Sequence, residues 1–324
     1  MKAWQVTEWC EPEGLHSNEV AVPEPAAGQV RIRAHAAALN FFDILQVQGK
    51  YQVKPPFPFT PGAEVAGVID AIGPGVEGFK TGDRVLAMPQ LGAFAEQVLA
   101  DAGRTFPMPA GMSFEQAAAF PIVYQTSWCA LVTRSTVRPG DTLLVHAGAS
   151  GVGMSAIQIG KALGAKVIAT AGSQEKLDFS IEVGADHAVN YSDATWVDKV
   201  KELTGGRGVD LIYDPVGGDI FDQSNKVIAQ AGSHLVIGFA SGRIPALAAN
   251  RALLKNMSLV GVFWGGWATA HPAYMKETHA ALVEWYEAGR IKPRVASSYP
   301  LADLPRALRD LANRKILGKT VVIS

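Results

Sequence analysis

The chain has 324 residues, 48% of them hydrophobic and 18% charged, with a formal net charge of −1. That length holds one large domain or two ordinary ones, and the near-zero charge without a long like-charge run excludes the basic footprint of a nucleic-acid or anionic-membrane binder. Two widely separated cysteines, Cys10 and Cys129, exclude a disulfide framework and a multi-cysteine zinc site.

Taken in chain order, MKAWQVTEWC lacks the apolar run of a signal peptide, and no later run is long enough to span a membrane, so a cytoplasmic protein acting on a small molecule is expected. Residues 1–120 carry short β-type runs, VRIRAHAAA, EVAGVIDAIG, DRVLAM and AFAEQVLA, punctuated by Gly and Pro. This texture predicts a compact β domain, a distorted barrel. FEQAAAFPIVYQTSWCALVTR reads as helical apart from Pro121 and marks a border.

From residue 139 the rhythm changes. TLLVHAG, KVIATA, HAVNY, VDLIYD, HLVIGFA and SLVGVFW read as apolar strands. Between them GVGMSAIQIGKALG, QEKLDFSIEVG, WVDKVKELTGG, IFDQSNKVIAQAG and RALLKN read as helices. Strands alternating with helices predict an α/β domain with a doubly wound parallel sheet of six strands. The tail holds two more helices, MKETHAALVEWYEAGR and LADLPRALRDLANR, and a closing strand, KTVVIS, able to return to the N-terminal domain.

The join between the first of these strands and its helix reads GASGVG, residues 148–153. A glycine-rich turn from strand into helix brings backbone N–H groups, and the positive end of the helix, up to a pyrophosphate. Gly148 and Gly153 match the usual G-x-G-x-x-G spacing. The middle glycine is replaced by Ser150, with Gly151 and Val152 following. An NAD-binding domain places an acid at the end of its second strand, where Ala171, Gly172 and Ser173 stand instead. Lys176 lies in the first turn of the next helix, an end that favours anions. A ribose 2′-phosphate there would resolve the conflict, with Tyr191 closing the pocket, so NADPH is the expected cofactor.

RPGDTLLVHAGASGVGMSAIQIGKALGAKVIATAGSQEK resembles the cofactor core of the medium-chain dehydrogenase/reductase superfamily. PGAEVAGVIDAIGPGVEGFKTGDRV is similar to the same superfamily's first-domain signature. Within it the chain looks most like the zinc-free quinone oxidoreductase (zeta-crystallin-like) branch. The resemblance implies a GroES-like β-barrel domain from residues 1–122 and 266–324 and a Rossmann domain from residues 123–265. It also implies an active-site cleft between the domains and a homodimer formed through the Rossmann sheet. Zinc-dependent relatives have a cysteine where Asn40 stands and a histidine where Ala63 stands, while Glu64 is kept. A metal-free protein is therefore expected.

The same resemblance carries over several site residues. Asn40 matches an asparagine near the nicotinamide end of the cofactor, and Thr126 matches a nearby threonine, although the family's Gly-Leu before it is Tyr124-Gln125 here. The turns at the carboxyl ends of the later strands, with Val216 in DPVG, Gly238, Phe239, Phe263 and Trp264, should line the nicotinamide. NFFDILQVQGKY resembles the N-x-x-D-x-x-x-x-x-G-x-Y of enoyl thioester reductases, whose tyrosine is implicated as proton donor, and this makes Tyr51 the candidate acid. Asp43 is expected to bond structurally and His146 to be a packed core histidine.

The expected function is an NADPH-dependent, zinc-free oxidoreductase passing hydride to a quinone or similar electrophile. A 2-enoyl reductase is the alternative enzyme, and a non-catalytic NADPH-binding protein the alternative from another class.

Overall fold

The computed structural model describes all 324 residues. They form two compact units, one from Met1–Ile122 with Pro293–Ser324 and one from Val123–Lys292. The expected border at residue 266 therefore moves to 292/293. The reason lies in the packing of the helix Tyr274–Glu287. Its Trp285 ring meets Trp128 edge-on with centroids 4.9 Å apart, and the Tyr274 hydroxyl bonds Thr133 at 2.8 Å. Beyond it, Gln158 exchanges two hydrogen bonds with the backbone of Lys292.

The unit built from both chain ends is organised by the strand Gln29–Ala38, whose alternating side chains Val30, Ile32 and Ala34 face the core. It belongs to a seven-stranded sheet. Its early residues pair antiparallel with Gln97–Asp101, and Ala36–Ala38 pair antiparallel with the closing strand, Val321 opposite Ala38. The KTVVIS strand thus does return to this domain. The helix Leu304–Ala312 presents Leu304, Ala307 and Leu308, the i, i+3, i+4 spacing of one face, to the same core.

In the other unit six strands run parallel in the order His187–Asn190, Lys166–Ala171, Thr142–Val145, Val209–Asp214, Ile228–Val236, Ser258–Gly261. This is the doubly wound sheet the alternation predicts. Strand order reverses beside Thr142–Val145, the strand that feeds the glycine turn.

Three local expectations are corrected. Pro121 does not break the helical segment but opens the helix Pro121–Trp128, at the position where a missing N–H leaves no hydrogen bond unmade. The helix read across residues 220–232 stops at Ser224, and Ile228 already pairs with Val209 as strand. A register shift follows, where Ala231 has φ 59° and Gly232 sits beside it, so the Ala-Gly read as a helix end is a strand bulge. The last parallel strand ends at Gly261, and Trp264 starts a short helix, Trp264–Ala270.

Candidate functional site

Asn40 lies at the N-terminal end of the short helix Phe41–Val47 and is 8% exposed. The antiparallel register that pairs Val321 with Ala38 carries Lys319 opposite Asn40 when extended by two residues. The Lys319 ammonium spends all three of its N–H donors there, on the Leu39 carbonyl (2.9 Å), Asn40 Oδ1 (2.9 Å) and Glu64 Oε2 (2.8 Å). Glu64 accepts in addition from Asn40 Nδ2 (2.7 Å) and from the Ile122 backbone N–H (2.6 Å).

Lys319 can only donate and an ionised Glu64 can only accept, so the network fixes which way the Asn40 amide faces. With Oδ1 also accepting the Asp43 backbone N–H in a capping box, one N–H of that amide remains for a ligand. Lys319 and Glu64 are 3% and 0% exposed on their side chains, so this is an ion pair withdrawn from water.

Asp43 sits in the first turn of the same helix, fully buried. Its Oδ2 accepts the Asn40 backbone N–H at 2.7 Å, and its Oδ1 has no partner. Burial raises its pKa to about 7, further raised by Glu64 and opposed by the Asn40 N–H and the Lys319 charge. The expected structural bonding of Asp43 is what the geometry contains.

Tyr51 follows the C-terminal end of this helix, which at seven residues is roughly 10 Å long. Its backbone N–H bonds the Leu45 carbonyl, and its ring folds back to stack on Phe42 with centroids 5.5 Å apart. Phe42 belongs to the first turn, so the phenol is drawn toward the end that holds Asn40 and Asp43. Burial, and then the Asp43 charge, raise the Tyr51 pKa above its ordinary value. Its hydroxyl therefore stays protonated at neutral pH.

In the parallel-sheet unit, the turn after Thr142–Val145 enters the twelve-residue helix Gly151–Ala162. Ser150 caps it, its Oγ accepting the Gly153 N–H at 3.1 Å. Gly151 and Val152 are half-buried in the first turn, where backbone N–H groups have no carbonyl behind them. A Cβ on Gly153 would lie 2.2 Å from the Ala147 carbonyl oxygen, and one on Gly148 would lie 2.8 Å from the Ala169 Cβ. These glycines let turn, helix and sheet close up, and the result is a cradle that fits a pyrophosphate.

Ser173 precedes the helix Gln174–Glu182, with Lys176 half-buried in its first turn. Tyr191 is half-buried directly after the third strand, and its ring lies 3.3 Å from where a Gly172 Cβ would be. Those groups share one end of the sheet. Thr126 is half-buried on the helix Pro121–Trp128. Tyr124 beside it points inward, fully buried, and donates to Gln158 Oε1 at 2.7 Å. Val216 and Gly238 lie in neighbouring strand-end turns with the half-exposed Phe239, and Phe263 is 62% exposed. Trp264 Nε1 is buried without a partner.

The core reading of His146 matches its surroundings: it is fully buried, with Nδ1 on Thr170 Oγ1 (2.8 Å) and Nε2 on Ser224 Oγ (2.7 Å). Burial pushes its pKa down to about 4.

Sequence reasoning missed Lys319 and His234. The signal for Lys319 was a lysine opening an otherwise apolar strand. The signal for His234 was a histidine inside HLVIG, one of the runs expected to be buried.

A GroES-like barrel unit and a unit with a doubly wound parallel sheet in one chain define the architecture of a two-domain dehydrogenase or reductase. Residues 151–282 match the family model described as zinc-binding dehydrogenase, and residues 26–110 match the alcohol dehydrogenase GroES-like domain. The chain is 39% identical to the quinone oxidoreductase-like protein 2 homolog of Nematostella vectensis, over 91% of this chain and 81% of that one. It is 33% identical to the quinone oxidoreductase of Rattus norvegicus, over 100% of this chain and 98% of the relative. The crystal structure of the Escherichia coli quinone oxidoreductase complexed with NADPH superposes with a TM-score of 0.93 at 31% identity, covering 100% of both chains. The chain belongs to the quinone oxidoreductase branch of the medium-chain dehydrogenase/reductase superfamily.

Proposed function

We propose that this protein is an NADPH-dependent, zinc-free oxidoreductase that reduces a quinone or a similarly electrophilic acceptor. The observation that carries the reading is the glycine cradle at Gly148–Gly153, set where strand order reverses in the parallel sheet. When bound, NADPH supplies the hydride.

The protein's part is to bind and orient. The first-turn N–H groups of Gly151 and Val152 neutralise the pyrophosphate. Ser173, Lys176 and Tyr191 hold the adenosine 2′-phosphate. Thr126, Val216, Gly238, Phe239, Phe263 and Trp264 frame the nicotinamide. Lys176 at a helix N-terminus, with no acid at the strand end, favours NADPH over NADH. The two dissociation constants should differ by at least about tenfold, measured by fluorescence titration; equal constants would sink this assignment.

A zinc ion at the position its relatives use would meet an amide at Asn40 and a methyl at Ala63, with Glu64 already held by Lys319. That donor set does not fit zinc, which takes thiolate, imidazole and carboxylate. Without a Lewis acid, the acceptor must already be electrophilic. Asn40 then offers its remaining N–H to an acceptor oxygen.

The N-x-x-D-x-x-x-x-x-G-x-Y pattern, with the Tyr51 ring folded back onto Phe42 at the end of the helix that holds Asn40, favours a second reading, a 2-enoyl reductase in which Tyr51 protonates the substrate carbon. Tyr51→Phe tests it. Reduction of an enoyl thioester should fall about a hundredfold, the scale of a lost general acid, while quinone reduction, which can draw protons from water, changes little. Equal loss with both acceptors would remove the proton-donor role.

The outer strand Ser258–Gly261 leaves one sheet edge open, with Leu259 49% exposed and Leu253 and Leu254 75% and 73% exposed on the helix before it. An open edge with this much apolar surface is covered by a second copy of the chain in a homodimer. Leu259→Arg should convert the dimer to monomer in analytical ultracentrifugation. A wild-type monomer would contradict the assignment. No helix is long and apolar enough to cross a membrane. Free Cys10 and Cys129 fit a reducing cytoplasm.

A further inference from the structure

Asp214 ends the fourth strand of the parallel sheet and is 1% exposed. Its Oδ1 accepts the backbone N–H groups of Val216 (2.8 Å) and Gly217 (2.9 Å), which shapes the Pro215–Gly218 turn. Its Oδ2 faces His234 Nε2 at 3.1 Å, from the carboxyl-terminal part of the neighbouring strand, where His234 lies opposite Ile212. His234 is fully buried, packs its ring on Phe221 with centroids 4.3 Å apart, and has no partner for Nδ1.

The carboxylate is an acceptor toward both backbone N–H groups, so the nitrogen that reaches Oδ2 is the one carrying hydrogen. An apolar residue of this volume would fill the space without leaving a buried nitrogen unpaired. What histidine adds here is the bond to Asp214.

The turn held in this way is tightly constrained. Gly217 has φ 67° and ψ −151°, and Gly218 has φ 56°. A Cβ on Gly217 would stand 2.9 Å from the Phe239 ring, and one on Gly218 would stand 2.6 Å from Ser241 Oγ. The next turn is tied to it by backbone bonds: Ile237 N–H to the Asp214 carbonyl (2.9 Å), Ala240 to Pro215 (3.0 Å), Ser241 to Val216 (2.9 Å) and Gly218 to Arg243 (3.1 Å). The turns bearing Val216, Gly238 and Phe239 therefore hold one shape together, and the Asp214 carboxylate is the side-chain pin at their root.

We propose that His234 is a positioning residue which, through Asp214, sets the paired turns that receive the nicotinamide half of NADPH. The proposal rests on the cofactor reading above and adds a residue that touches no ligand. Loss of the His234 bond frees one oxygen of a buried carboxylate and lets the Val216–Gly217 turn rearrange. The adenosine half, held near Ser173, Lys176 and Tyr191 on other strand ends, keeps its site.

Isothermal titration of NADPH and of adenosine 2′,5′-bisphosphate into the full-length wild type, His234→Leu and His234→Gln, with thermal melts of each, tests this. His234→Leu should weaken NADPH by about tenfold or more, the scale of a lost hydrogen bond to a charged group, and leave adenosine 2′,5′-bisphosphate within about twofold. His234→Gln, which can return an N–H to Asp214, should recover most of the NADPH affinity. Equal weakening of both ligands, or of neither, would overturn the proposal, as would a Gln variant no better than Leu. A wild type that binds adenosine 2′,5′-bisphosphate but not NADPH, or binds neither, would overturn the cofactor reading and this proposal together.

Discussion

Lys319→Met should lower folding stability by about 3–5 kcal/mol, the cost of leaving one member of a buried ion pair unpartnered. The substitution removes three hydrogen bonds at once, and the group most exposed to the loss is Glu64, fully buried and in contact with the ammonium at 2.8 Å. Asn40 also loses the donor that fixes its amide, and Asp43 loses a nearby positive charge that opposes the rise in its pKa. Adding Glu64→Gln to the Met variant removes the stranded carboxylate, so the double variant should be more stable than Lys319→Met alone. Urea unfolding followed by circular dichroism measures both. A Lys319→Met chain within about 1 kcal/mol of wild type would mean that the pair is no more than a surface salt bridge in worth.

Gly153→Ala should abolish measurable NADPH binding while leaving the chain folded. The added methyl carbon would lie 2.2 Å from the Ala147 carbonyl oxygen and 2.8 Å from Gly148 Cα, both backbone atoms that cannot swing aside as a side-chain tip can. Relief requires the turn and the first turn of the helix Gly151–Ala162 to separate, at a cost of about 1–3 kcal/mol of overpacking. That separation moves the Gly151 and Val152 N–H groups away from the position an anion would take. Enhancement of NADPH fluorescence on titration measures the loss, and thermal melting confirms folding. Undiminished affinity in Gly153→Ala would show that the cofactor does not depend on this turn.

The parallel sheet was legible because each element carries its own periodicity and several borders carry a glycine. The parallel direction of the strands followed from the rule that parallel strands need crossover connections. The helix end misread at residues 228–232 shows the limit. Ile228 and Ala229 suit a helix locally, but pairing with Val209 across the sheet decides their state, and Ala231 with φ 59° is a bulge only in that context.

The unit boundary failed for a related reason. Nothing local in MKETHAALVEWYEAGR tells which unit its apolar face will cover, and Trp285 on Trp128 decides it.

Asn40 and Tyr51 stand out in the sequence as candidate site residues, yet their surroundings were not readable. Lys319 is 279 residues from Asn40, and only the return of the last strand to Gln29–Ala38 brings them together. The Asp214–His234 bond likewise spans neighbouring strands, through a register that the bulge shifts. The glycine turn was found from sequence because all its parts lie within GASGVG.

The most direct test of the account is NADPH oxidation by full-length wild type with 1,4-benzoquinone as acceptor, followed by absorbance before and after exhaustive dialysis against a metal chelator. The account predicts turnover with NADPH, far slower turnover with NADH, and the same rate after dialysis. No turnover, equal rates with the two nucleotides, or a loss on dialysis that zinc restores would contradict it.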